Sequence, residues 1–117
     1  MKEASVDRML LAITSPPGSW EAARALALAR TLGDQGCDVG LVLLQDAVLA
    51  AVDRAQTPVA QVLSQLLAGG VAVYVAAQDL ALRGFSPDAL TPGATAVDDR
   101  RLVDLMLADG TKMLGCF

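Results

Sequence analysis

Histidine is absent from the 117 residues, and this absence removes several kinds of chemistry. A zinc site is not expected, because the two cysteines, Cys37 and Cys116, lie far apart and show no metal-ligand spacing. Serine nucleophile chemistry of the usual kind is excluded as well, since Ser15 and Ser19 have no histidine to activate them. We therefore expect neither a metal nor a cofactor.

Positive charge and long apolar runs are also scarce. Lys2 and Lys112 are the only lysines and the net charge is −4, so a direct nucleic acid partner is not expected. No apolar run approaches the roughly 18 residues of a transmembrane helix, and Met9 to Ile13 is too short for the apolar region of a secretion signal. We expect a cytoplasmic protein that has no membrane partner.

Apolar side chains, in contrast, are abundant. They make up 54% of the chain, while charged residues make up 19%. The length predicts a single domain, 1–117, and a small monomer cannot easily bury so much apolar surface. Association between subunits would bury the surplus, so we expect an oligomer.

One apolar run, Val71 to Ala77, ends abruptly in Gln78 and Asp79. The run is too short for a membrane span, and its valine and tyrosine content favours a buried central strand. Similar apolar patterns predict three further strands. These are Met9 to Thr14, Asp38 to Leu44 and the short closing segment Lys112 to Phe117.

Helical patterns alternate with these strands. Ser19 is a predicted N-cap for a helix from Trp20 to about Leu32, and Asp98 with Asp99 is predicted to cap a later helix. Strands that alternate with helices pair in parallel, so the chain predicts a three-layer α/β sandwich with a mostly parallel sheet. The other predicted helical segments are Asp46 to Val52, a helix that starts at Thr57 and Pro58, Leu80 to Arg83, and Ser86 to Asp88.

The carboxyl ends of parallel strands are where ligands and catalytic groups collect. Ala76, Ala77, Gln78 and Asp79, which end the third strand, are therefore candidate binding residues, together with Ser15 after the first strand. Asp79 is predicted to cap the helical turn that follows it. A binding or acid–base role for Asp79 is the alternative.

Several segments resemble one family of α/β proteins. The likeness rests on Gly36 to Val48, Gly70 to Val75, Arg83-Gly84-Phe85 and the closing Leu102 to Leu107 helix, and it covers most of the chain. These segments resemble the DsrE/DsrF/DsrH family, whose relatives include the TusB, TusC and TusD subunits. The resemblance implies a flavodoxin-like fold and cytoplasmic trimers or hexamers, either of one chain or with other DsrE-like subunits.

The resemblance also implies a role in intracellular sulfur trafficking. Active family members pass sulfane sulfur as a cysteine persulfide, in sulfur oxidation or in tRNA thiolation, and their acceptor cysteine follows the third strand. The resemblance assigns Ala76 and Asp79 to the corresponding positions, so this chain lacks the usual thiol. Because persulfide transfer requires a thiolate, we expect a non-catalytic or accessory subunit.

Two other hypotheses remain. The chain could be a sulfurtransferase or persulfide carrier that uses Cys116, although this cysteine falls in a predicted strand and free cysteines are commonly buried small hydrophobes. Cys37, at a helix-to-strand turn, is expected to be structural. The chain could instead be a flavodoxin-like domain that binds a small ligand. A vacant polar pocket at Ala76 to Asp79 would favour that hypothesis, and a filled one would weigh against it.

Overall fold

The computed structural model describes residues 8–52 and 58–117 of the chain. Strands and helices alternate in these ranges, as the apolar pattern predicts. None of the helices described is long and apolar enough to cross a membrane. The elements in chain order are β1 (Arg8–Ile13), α1 (Trp20–Asp34), β2 (Val39–Leu43), a first 3₁₀ helix (Gln45–Ala51), α2 (Pro58–Ala68), β3 (Ala72–Ala76), α3 (Ala77–Leu82), a second 3₁₀ helix (Pro87–Ala89), β4 (Thr95–Val97), α4 (Asp99–Leu107) and β5 (Thr111–Cys116).

The described strands form one sheet in the order β4-β3-β2-β1-β5, and every pairing in it is parallel. β3 is an inner strand between β2 and β4, whereas the predicted central position belongs to β2, whose residues are all buried. Helices pack on both faces of the sheet. The predicted α/β fold with a parallel sheet is therefore confirmed.

β4 is a strand that the apolar pattern does not predict. Its three residues, Thr95–Val97, are too few to show a period of two. They pair with Tyr74, Val75 and Ala76 of β3. The strand conformation of β4 therefore depends on pairing with a segment about 20 residues earlier in the chain. As a result, β3 is paired on both sides and cannot act as an open sheet edge.

One face of the sheet is covered by α1, α2, α3 and the first 3₁₀ helix. Leu11, Leu41 and Val73 lie in register on three neighbouring strands and belong to this core. The buried side of α1 includes the fully enclosed Ala25 and Ala29, and such small side chains let the helix axis approach the sheet closely. This face therefore holds the larger of the two cores.

The opposite face carries a smaller core in which α4 is the helix that contributes buried residues. Leu105 of α4 packs with Leu10 and Val42 of the sheet. Gly40 makes room for this packing, because a Cβ at that position would lie 2.6 Å from Leu10 Cδ2. A side chain there would displace the centre of the smaller core.

Two predicted helix caps are confirmed. The Ser19 hydroxyl accepts the Ala22 N–H at 3.1 Å, and the Asp98 carboxylate accepts the Arg101 N–H at 2.8 Å. Each bond satisfies a backbone donor that the first turn of a helix leaves free. The predicted N-cap at Thr57 lies outside the described residues.

The amino ends of β1 and β2 carry a polar cluster. Arg8 Nη1 donates to the Tyr74 hydroxyl at 2.8 Å, and Arg8 Nε donates to the Asp38 carboxylate at 3.3 Å. Burial lowers the pKa of Arg8, but the hydrogen bond to Tyr74 and the charge of Asp38 outweigh it, so the pKa is raised. Arg8 therefore stays charged and joins three strands at the end of the sheet opposite to the candidate site.

Candidate functional site

All five described strands end at the same edge of the sheet because they are parallel. We call this edge the crest and include in it the residues at each strand end. Ligand sites of open α/β sheets lie here. The crest consists of Thr14 and Ser15 after β1, Gln45 and Asp46 after β2, Ala76 to Asp79 after β3, Asp98 after β4, and Cys116 and Phe117 at the end of β5.

Asp79 joins the end of β3 to the end of β2. Its carboxylate accepts the backbone N–H of Gln45 at 2.8 Å. Gln45 has a φ of 53°, in the left-handed region that a non-glycine residue seldom adopts. The carboxylate therefore helps to hold a strained turn at the start of the first 3₁₀ helix.

The predicted capping role of Asp79 is wrong. α3 begins at Ala77, directly after β3, and its N-cap residue is Ala76, whose side chain offers no oxygen. Asp79 thus lies inside the first turn of α3, and its side chain bonds to a residue 34 positions earlier. The Asp79 carboxylate therefore bonds to the backbone at the end of β2 and not to the helical turn that follows Asp79 in the sequence.

Arg83 completes this part of the crest. Its Nε and Nη2 atoms both donate to Asp46 Oδ1, at 3.1 and 2.8 Å, and its Nη1 atom donates to the Asp79 carbonyl at 2.9 Å. The guanidinium group therefore bridges the segments that follow β2 and β3. The sequence offered one indirect signal, the repeated Gln-Asp pair at 45–46 and 78–79, but it did not identify Arg83 as the bridge.

The remaining predicted residues after β3 contribute little reactive chemistry. Ala76 is 3% exposed and pairs with Val97 of β4, while Ala77 is half-buried and Gln78 is exposed. This stretch has no thiol, and its one carboxylate is engaged by Gln45. Hydrogen bonds of Asp79 and Arg83 therefore connect the ends of β2 and β3.

The end of β5 has a different chemistry, because Cys116 is exposed there. The predicted closing strand is confirmed, but the expected burial of its cysteine is wrong. Cys116 Sγ lies 3.8 Å from Thr14 Oγ1. The Ser15 hydroxyl donates to the Phe117 carbonyl, so Ser15 belongs to this end of the crest and not to the group around Asp79.

A register shift sets the face of the sheet to which Cys116 points. β5 pairs residue by residue with β1 up to Leu114 and Leu11, and then Cys116 pairs with Ala12. Gly115 takes up the extra residue with a φ of 43°. A one-residue shift reverses the face to which a side chain points, so the bulge turns Cys116 to the face of Leu10 and Ala12.

Other sites for metals or thiol chemistry are limited. Cys37 is a free, half-buried thiol just before β2, at the end of the sheet opposite to the crest. In residues 8–52 and 58–117 no group of three or more Cys, Asp or Glu side chains is placed to hold a metal ion. The described groups of the crest on which a function can be argued are therefore Asp79 with Arg83 after β3 and Cys116 at the end of β5.

The sequence pattern of one known family matches this chain. A family profile described as "DsrH like protein" matches residues 18–111. The chain belongs to the DsrH-like family. This assignment confirms the predicted resemblance, and the matched segment includes the ends of β2 and β3. Cys116 and Ser15 lie outside the matched segment of this DsrH-like chain.

Solved structures agree with the assignment. The crystal structure of the ychN protein from E. coli is similar over 95% of this DsrH-like chain and 98% of its own, with a TM-score of 0.80 and 28% sequence identity. A protein of unknown function, MTH1491 from Methanobacterium thermoautotrophicum, is 15% identical and has a TM-score of 0.79. That second similarity covers 92% of this chain and 96% of the other, and it supports the fold alone. A comparison with curated proteins gives no match.

Proposed function

We propose that this DsrH-like chain is an accessory subunit of an oligomeric assembly in intracellular sulfur trafficking and does not itself accept sulfur. One observation carries the proposal. The residues that follow β3 offer no thiol, and the one carboxylate among them is bonded to the Gln45 N–H. Sulfur oxidation and the relay that thiolates tRNA are the two settings that the family resemblance suggests.

The chemistry of sulfur transfer explains why this observation matters. In persulfide transfer a cysteine thiolate attacks the outer sulfur of a donor persulfide. A new S–S bond forms, the donor's S–S bond breaks, and the donor departs as a thiolate. Asp79 cannot take the place of the attacking thiolate, because a carboxylate oxygen does not form a persulfide. An assembly that includes this chain would need the attacking thiol from another subunit.

An assembly also accounts for the composition. With 54% hydrophobic residues, contact with further subunits would bury apolar surface that a monomer exposes. We propose either a homo-oligomer, a trimer or hexamer, or a mixed assembly with other DsrE-like subunits. A direct nucleic acid partner is not part of this proposal, because the net charge of −4 disfavours phosphate binding.

A second candidate function is favoured by one specific observation. Cys116 is exposed at the crest, beside Thr14, and could be approached by a donor persulfide. In this alternative the chain is a sulfurtransferase or persulfide carrier that uses Cys116. A small-ligand site between β2 and β3 is less well supported, because Arg83 and Asp79 already use polar groups in hydrogen bonds within the protein.

Mass spectrometry after persulfide loading tests the two candidates. The full chain is incubated with a low-molecular-weight persulfide donor, and the intact protein and its cysteine-containing peptides are then weighed. The accessory role predicts no stable adduct of about 32 Da, the mass of one added sulfur atom, on either cysteine. The carrier role predicts such an adduct on Cys116.

The Cys116→Ser variant and the Cys37→Ser variant are matched controls. An adduct that disappears in Cys116→Ser and persists in Cys37→Ser would overturn the accessory proposal in favour of the carrier. An adduct of equal yield in both single variants would indicate unselective loading, so transfer to a thiol-bearing DsrE-like subunit is measured as well. Transfer from Cys116 at a rate above that of free cysteine would also contradict the accessory role.

A further inference from the structure

Exposed apolar side chains occur on both faces of the sheet, and those on one face come from two adjoining elements. Among the described residues, five large hydrophobic side chains are exposed. Three of them, Val103, Leu107 and Met113, come from α4 and β5, which are consecutive in the chain and pack against each other. The other two, Trp20 and Leu82, come from helices on the opposite face of the sheet.

The placement of α4 and β5 makes these three side chains parts of one surface. Leu105 on the inner side of α4 is buried, so Val103 and Leu107, which are one turn apart, lie toward the outer side. Met113 pairs with Leu10, whose side chain belongs to the core beneath α4, so Met113 points to the same face as the helix. β5 is also an edge strand, with one side unpaired. We call this surface the α4–β5 surface.

The charges on α4 are arranged in a complementary way. Arg100 and Asp104 are exposed, one turn apart, and lie on the outer side with Val103 and Leu107. The described ion pairs are Arg8 with Asp38 and Arg83 with Asp46. Neither Arg100 nor Asp104 has an ion-pair partner within the part of the chain that the structure describes.

We propose that the α4–β5 surface binds a second copy of this chain across a two-fold axis. In such a contact the same patch faces itself, and two antiparallel copies of α4 can cross near Val103. Arg100 of each copy then approaches Asp104 of the other, on both sides of the axis. Leu107 and Met113 surround this centre with apolar surface. The α4–β5 surface therefore supplies both the arginine and the aspartate of each Arg100–Asp104 ion pair.

The area needed by a stable dimer explains why β5 must take part. A specific interface buries on the order of 800 Å² per partner. A nine-residue helix such as α4 is only about 13 Å long, which is too short to supply this area alone. The exposed face and edge of the adjoining six-residue β5 extend the patch. The contact thus includes the strand, whose outer backbone groups lie at the boundary of the interface.

This inference deepens the proposed function by naming one of its contacts, and it rests on the proposed self-association but not on the sulfur chemistry. The test is sedimentation equilibrium of the full chain at several micromolar concentrations. The wild type is expected to associate through an even-numbered species. Leu107→Asp is expected to raise the dissociation constant of the two-fold contact at least about tenfold, because it places two carboxylates in the apolar region.

Leu82→Asp is the matched control, since Leu82 and Leu107 are 75% and 76% exposed but lie on different faces. This variant is expected to associate like the wild type. The single reversals Arg100→Asp and Asp104→Arg are expected to weaken association, and the double variant is expected to recover it. Circular dichroism checks that each exposed substitution leaves the fold intact.

The outcomes separate this contact from the proposed function. A wild-type chain that is strictly monomeric, or that forms trimers without an even-numbered species, would overturn the contact, whereas the sulfur role would still be decided by the persulfide measurement. An oligomer that resists Leu107→Asp, or that dissociates in Leu82→Asp, would place the contact elsewhere and leave the oligomeric subunit role standing. Failure of the double reversal to recover association would overturn the paired-charge geometry.

Discussion

The carboxyl ends of β3 and β5 lie on the same edge of one parallel sheet, yet they differ in chemistry and in construction. The end of β3 is closed by side chains, because Asp79 holds the Gln45 N–H and Arg83 bridges to Asp46. The end of β5 is shaped by its backbone, because a bulge at Gly115 changes the face to which the exposed Cys116 side chain points.

The difference shows that a residue at the crest does not form a ligand or catalytic site by its position alone. The sheet brings every strand end to the same edge, but local bonds decide whether a strand end is open to a ligand. At β3 those bonds engage the Asp79 carboxylate and the Arg83 guanidinium group. At β5 the Cys116 Sγ atom is exposed and lies 3.8 Å from the Thr14 hydroxyl oxygen. The proposed accessory role rests on the β3 end, and the alternative carrier role rests on Cys116 at the β5 end.

The largest expected effect is at the β5 end, where Gly115→Ala tests whether the backbone controls the exposure of Cys116. Gly115 has a φ of 43°, which an alanine adopts at a cost of about 1 to 2 kcal/mol. The new Cβ would also contact the Phe117 ring at 3.4 Å. We expect the free energy of unfolding in urea to fall by about this amount.

Gly33→Ala is the control for that measurement. Gly33 lies in α1, has open space around its Cβ position, and does not have a positive φ. Alanine is expected to stabilise the helix there by about 0.5 to 1 kcal/mol. If Gly115→Ala behaved like Gly33→Ala, the left-handed bulge would not determine the conformation of the β5 end.

A smaller effect is expected at the β3 end, where Asp79→Ala removes the acceptor of the Gln45 N–H. We expect a loss of about 1 kcal/mol in the free energy of unfolding, since Gln45 is exposed and water can partly replace the carboxylate. Amide hydrogen exchange at Gln45 should become faster, because the left-handed turn loses its anchor.

Asp79→Asn separates the hydrogen bond from the charge, since its amide oxygen can still accept the Gln45 N–H. It is expected to retain most of the stability that Asp79→Ala loses. Asp88→Ala, at an exposed carboxylate of the second 3₁₀ helix, should leave exchange at Gln45 unchanged. Equal protection of Gln45 in Asp79→Ala and the wild type would show that the β3 end is not closed by this bond.

The sequence predicted the two ends to different extents, for physical reasons. Uninterrupted apolar runs identify β1, β2 and β3 because a buried strand of a parallel sheet is apolar on both faces. Thr95–Val97 carries no such pattern, and its strand conformation depends on β3. Helix capping is a short-range signal, so it could not reveal that Asp79 bonds to Gln45.

The exposure of Cys116 is a case in which a local signal was present but not used. A glycine within a predicted strand often marks a bulge, and Gly115 precedes Cys116 directly. Alternation without a bulge would have given Cys116 the opposite face. The direction of the Cys116 side chain depends on a single extra residue of β5 in the pairing with β1. The apolar pattern of one strand does not predict its register with a neighbouring strand.

The smallest expected effect on stability is that of replacing Cys116. The labelling rates of Cys116 and Cys37 then test most directly whether the β5 end is open. Cys116→Ser should change the free energy of unfolding by less than about 0.5 kcal/mol, because the side chain is exposed and makes one long contact to Thr14. In the wild type, a thiol reagent should label Cys116 before the half-buried Cys37. Faster labelling of Cys37 would mean that the β5 end is covered in solution. Equal labelling rates in Gly115→Ala would show instead that the bulge is what keeps the Cys116 thiol accessible.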